Sequence, residues 1–124
     1  MRKAGEAVLE AQLASVRLGQ GRLEEAATLA DEAVGRAQGH FHAAVHPPAN
    51  HIRGRIALRR GRPEEAEADL LLAVERYRLE RYHALEAMCL NDFGRVARAR
   101  HDTVRAVQLH AEAVVVAGGQ KIRR

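Results

Sequence analysis

The chain has 124 residues, a formal net charge of +4 and a pI near 10.0; 47% of its residues are hydrophobic and 3% aromatic. That size suits one domain, and the apolar content is enough to build a core, which excludes a disordered polyelectrolyte. Cys89 is the sole cysteine, so no disulfide framework and no multi-cysteine zinc site forms within the chain.

No apolar run reaches membrane-spanning length, and the start from Met1 to Glu6 lacks the apolar stretch of a signal peptide. A cytoplasmic protein with no membrane partner is expected. Alanine is abundant and the basic charge is nearly all arginine, with only Lys3 and Lys121 as lysines. Both residue types favour helix.

In chain order, a first helix is expected over 4–19, ending at the turn of Gly21. The second, 23–38, opens with Glu24 and Glu25, whose charges oppose the positive end of the helix dipole. Residues 39–46 are rich in histidine and form the longest connection. Pro47 and Pro48 cannot sit inside a helix, so they mark the entry to a third helix over 48–60. Gly61 then turns the chain, and Pro63 starts a fourth helix over 63–81 at the position where proline forfeits no needed N–H. Two more helices follow over 84–99 and 103–117; Gly118 and Gly119 end the last, and 118–124 reads as a flexible basic tail.

Sliding the chain against itself by 40 residues aligns Ala14, Gly54 and Gly94, and likewise Val16, Ile56 and Val96. Ala26, Ala66 and Ala106 form a third column, Ala33, Ala73 and Ala113 a fourth, and Val34, Val74 and Val114 a fifth. Each unit reads as a helical hairpin. Small residues let its two helices approach, Gly54 or Gly94 facing Ala66 or Ala106. Val16, Ile56, Leu70, Val96 and Leu109 are expected to fill the space between hairpins.

This pattern resembles the tetratricopeptide repeat, through the small residue at the eighth position, the turn glycine followed by Glu-Ala, and the later alanine. The residues are Ala14, Gly21, Ala26 and Ala33; Gly54, Gly61, Ala66 and Ala73; and Gly94, Ala106 and Ala113. The family's aromatic at the repeat start is missing, His101 replaces the third turn glycine, and the spacing is 40 rather than 34. Longer alanine- and arginine-rich repeats of this style look like those of large bacterial transcription regulators. The resemblance implies an all-α solenoid of three hairpins over 1–117, with repeats at about 4–38, 48–81 and 84–117.

No catalytic constellation emerges, so no enzyme is expected. Ser15 sits mid-helix beside no base, and Glu24-Glu25 and Glu64-Glu65 are adjacent, so their carboxylates diverge. Gly19-Gln20-Gly21 has Glu24 where a nucleotide loop needs its third glycine, and no strand precedes it. His40, His42, His46 and His51 cluster without cysteine or carboxylate among them, and read as loop histidines rather than a metal site. Cys89 reads as a small packed hydrophobe. Neither cofactor nor metal is expected.

The resemblance implies that the first helices of the hairpins line a concave groove, here carrying His51, Arg55, Leu58, Arg59, Asn91, Arg95 and Arg98. The family's carboxylate clamp is not supported, because Ala11, Ser15 and Ile52 occupy three of its places. The stretch 51–62 holds five arginines and no acid, while 64–75 is acidic. Arginine suits bidentate capture of carboxylates, so the groove is expected to take an acidic peptide or protein surface. The valines of the last helix exceed what one inward face can bury. Val104, Val107, Val115 and Val116 are therefore a candidate end-on interface, for self-association or for packing on further repeats. The alternative reading, a basic helical repeat that binds nucleic acid, is disfavoured by the segregated acids and the lack of aromatics for stacking.

Overall fold

A computed structural model of the chain describes residues 2–37 and 49–118. These form α1 (Arg2–Gly19), α2 (Leu23–Ala37), α3 (Ala49–Arg59), α4 (Pro63–Glu80), α5 (His83–Ala99) and α6 (Thr103–Ala117), with no strand among the described residues. The most extensive packing is α1 on α2, α3 on α4 and α5 on α6; α2 also packs on α3, and α4 on α5. The odd-numbered helices touch in sequence, α1 with α3 and α3 with α5.

The turns inside the three pairs share one geometry. Gly21, Gly61 and His101 all have positive φ, at 77°, 74° and 62°. In each, the next residue's N–H bonds back to a carbonyl five residues earlier: Arg22 to Arg17, Arg62 to Ala57 and Asp102 to Ala97, at 2.8–2.9 Å. This double-bonded cap satisfies the orphan carbonyls of the helix end. Arg81, at φ 60°, closes α4 in the same way. Glycine enters the left-handed region freely, whereas a side chain there is strained. His101→Gly is therefore expected to stabilise the fold by about 0.5–1 kcal/mol, read as a raised urea midpoint. An unchanged or lowered midpoint would contradict the strain at this turn.

The small-residue columns are all buried: Ala14, Ala26 and Ala33, then Gly54, Ala66 and Ala73, then Gly94, Ala106 and Ala113. A methyl group at Gly54 would stand 3.0 Å from the Leu70 side chain and 3.2 Å from the Ala66 carbonyl, as expected of a close crossing. Gly94 differs from the expectation. Its space is taken by the His110 ring, not by Ala106: an added Cβ would lie 2.5 Å from Cε1 of that ring. The residues 16 positions on grow as the small column shrinks, from Ala30 through Leu70 to His110.

Val16 is a second departure. It is 51% exposed, whereas its equivalents Ile56 and Val96 are each 1% exposed. Ile56 packs into the cluster formed with α1 and α2, and Val96 into the one formed with α4 and α6. Among the described residues α1 packs on α2 and α3, and no hairpin covers the side of α1 that carries Val16. The reverse holds on the even-numbered helices: Val34 and Val74 are 8% and 1% exposed, and Val114 is 75% exposed.

Candidate functional site

Helices α1, α3 and α5 carry a groove of about 410 Å³ between them, lined by Ser15, Leu18, Gly19, Arg55, Leu58, Arg59, Asp92 and Arg95. Two of its three arginines, Arg55 and Arg95, are held by one buried carboxylate. Asp92 Oδ1 lies 2.6 Å from Arg95 Nη1, and Oδ2 lies 3.3 Å from Arg55 Nε. Arg55 and Arg95 are 40 residues apart in sequence and here share a single anion.

Beneath them lies His51, with both ring nitrogens engaged: Nε2 is 2.7 Å from Asp92 Oδ2 and Nδ1 is 3.0 Å from the Tyr77 hydroxyl. A consistent assignment has Nε2–H donating to the carboxylate and the Tyr77 hydroxyl donating to Nδ1. Burial first, then the nearby Cys89 and Asp92, pushes the Tyr77 phenol well above its ordinary value, which keeps it a donor. Cys89 packs as a small hydrophobe, its thiol donating to the Leu70 carbonyl at 3.4 Å. Burial, then Asp92, pushes this thiol well up and holds it protonated.

The expected groove residues therefore divide. Arg55, Leu58, Arg59 and Arg95 line one cleft. His51 is only 2% exposed and supports the cleft from below through Asp92 instead of facing it. Asn91 turns toward α6, where its Oδ1 accepts from His110 Nδ1 at 2.9 Å. Arg98 is exposed but lies outside the lining. Of the end-on valines, Val104, Val107 and Val115 are exposed, whereas Val116 is buried. Val116 shares the inward face of α6 with Ala106, Leu109 and Ala113, at spacings of three and four. His40, His42 and His46 lie outside the described residues, and among the described residues no group of metal-ligating side chains occurs. No described helix is long and apolar enough to cross a membrane.

The family model of the tetratricopeptide repeat matches residues 48–115, more than half of the chain. The chain belongs to the tetratricopeptide repeat family. Searches of curated proteins and of solved structures returned no match. Tetratricopeptide repeats are typically non-enzymatic modules that bind proteins or peptides, and the match spans α3 to α6.

This tetratricopeptide repeat chain also carries clefts between its even-numbered helices. Between α2 and α4, Arg53 lines the cleft: it bonds Asp69 through Nε at 2.9 Å and Nη2 at 3.0 Å, and reaches Asp31 at 3.4 Å. The bond to Asp69 pushes the guanidinium further up from its already high value, so it is permanently charged. Between α4 and α6 the positions 40 residues on are Leu71, Phe93 and Leu109, which line one cleft. A charged trio at the first junction is thus replaced by an apolar trio at the second.

Proposed function

We propose that the chain is a protein-interaction module built of three stacked repeats with a 40-residue spacing, whose concave inner face takes an acidic segment of a partner protein. The recurrence of one turn geometry at Gly21, Gly61 and His101 supports the spacing. Contacts running from α1 to α3 to α5 support the stacking, since a shared inner face needs those helices side by side.

The observation that carries the ligand class is the trio Arg55, Arg59 and Arg95 around the single carboxylate of Asp92. The cleft keeps a net positive charge while Asp92 fixes two of the guanidinium groups in place. A preformed fork of this kind suits a carboxylate and costs less ordering on binding than free arginine side chains. Leu18 and Leu58 add apolar wall, so acidic residues interspersed with leucines match the lining. Tyr77 is buried and cannot serve as a base-stacking platform, which favours protein over nucleic acid as the partner. The long alanine- and arginine-rich repeat further suggests a place within a bacterial regulatory protein.

A fluorescent peptide alternating glutamate and leucine serves as the probe. Arg55→Glu with Arg95→Glu is expected to weaken its binding by about tenfold or more at low salt, and added salt should weaken the wild type as well. Because those changes set carboxylates beside Asp92, Arg59→Glu provides the same test with the anchor intact. Unchanged affinity in both variants, at an unchanged fold, contradicts the proposal.

A further inference from the structure

Both ends of the stack expose apolar side chains, and Leu9, Val16 and Val114 hold positions that its internal junctions bury. On α1 the open apolar positions are Leu9, Leu13 and Val16; on α6 they include Val104, Val107 and Val114. Each has an internal counterpart. Val16 corresponds to Ile56 and Val96, which face the preceding hairpin, and Val114 to Val34 and Val74, buried against the following one.

We propose that a second copy of the chain seats its α1 face on the α6 face of the first, so that the repeat stack continues from copy to copy, head to tail. This rests on the repeat register proposed above. In that register Val114 of one copy takes the place of Val34 or Val74, and Val16 of the next that of Ile56 or Val96. The trio that is Asp31, Arg53 and Asp69 at the first junction, and Leu71, Phe93 and Leu109 at the second, becomes Ala111, Leu13 and Leu29 between copies. The new junction is apolar like the second, with no charge left unpartnered at its centre.

Its edge differs from the internal ones. Arg60 pairs with Glu24 across the first junction at 3.3 Å, and Arg100 with Glu64 across the second at 3.7 Å. The corresponding residues between copies are Gln20 and Val104, which form no ion pair. The association is therefore driven by apolar burial and is insensitive to salt, unlike the peptide binding proposed for the inner groove. Two different surfaces meet, so the contact is heterologous and each added copy leaves a fresh end open.

Light scattering across a concentration series, with two end-blocked variants of the full chain, tests this. The wild type is expected to grow past the mass of two chains as concentration rises, equally at low and high salt. Leu13→Glu with Val16→Glu blocks one end, and Val107→Glu with Val114→Glu the other; each variant alone is expected to stay at the mass of one chain. Mixed in equal amounts they offer one intact α1 face and one intact α6 face, and are expected to form two-chain complexes that grow no further. A wild type that keeps the mass of one chain at every concentration overturns the proposal. So does an α1-blocked variant that pairs with itself, which would mean α6 meets α6. The underlying register fails separately: if the blocked variants melt far below the wild type at a dilution where the wild type has the mass of one chain, those positions are not on open faces.

Discussion

Asp92→Ala is expected to destabilise the fold by about 3 kcal/mol, because it withdraws the common acceptor of three cationic or hydrogen-bonding side chains. Most of that cost comes from His51. It is buried, and without Asp92 its Nε2 has no acceptor among the groups it now meets. Arg55 and Arg95 contribute less, since both are partly exposed and can return to water. Asp92→Asn keeps an oxygen for the imidazole N–H and is expected to cost about half as much, roughly 1–2 kcal/mol. The same variant removes one negative charge from the groove, so it should bind the acidic peptide more tightly while folding less stably. Urea titration and peptide binding read the two effects separately. A loss below about 1 kcal/mol for Asp92→Ala would mean that the cluster does not hold the inner face together.

The second large effect concerns the charged trio between α2 and α4. Arg53→Ala alone is expected to cost about 1–3 kcal/mol, because Asp69 is buried and would keep only Asn50 as a partner, at 3.2 Å. Replacing the whole trio should act in the opposite direction. The variant Asp31→Leu, Arg53→Phe, Asp69→Leu installs at the first junction the side chains that already line the second. Asp69 is buried, Arg53 is one third exposed and Asp31 is mostly exposed, so the Arg53–Asp69 pair decides the outcome, and exchanging such a pair for packed apolar residues is often neutral or stabilising by about 1–4 kcal/mol. The triple variant is therefore expected to match or exceed the wild type in urea midpoint, although it contains a substitution at Arg53. A triple variant less stable than Arg53→Ala would show that the two junctions are not structurally equivalent.

The helices and turns were legible because each signal was local. Gly21 and Gly61 sit in the left-handed turns that their sequence positions imply, and Pro63 opens α4 as expected. The small columns were legible because they recur. The errors arose where burial depends on what lies beyond an element. Val16 looks like Ile56 and Val96 along the chain, yet among the described residues only the latter two pack against another hairpin. His110 displaced Ala106 as the neighbour of Gly94 because position 110 carries a ring long enough to reach the vacant site, as Leu70 does opposite Gly54.

The groove was half legible. Arg55, Arg59 and Arg95 were legible as basic residues on the helices expected to line the groove. What holds Arg55 and Arg95 did not stand out. Asp92 shares its column with Gln12 and Ile52, and His51 with Ala11 and Asn91, so neither residue is marked out by the residue types at its repeat position. Two such residues 41 apart give no signal of pairing until α3 lies against α5.

The central claim is that the inner face of α1, α3 and α5 is the surface that receives an acidic partner. Backbone amide shifts of the isotope-labelled chain, followed while the glutamate–leucine peptide is added, test it most directly. Shifts concentrated at Ser15, Gly19, Leu58, Arg59 and Arg95, diminishing as salt is raised, are expected. Shifts confined to the apolar cleft around Leu71, Phe93 and Leu109, or no shifts at low salt, would contradict it.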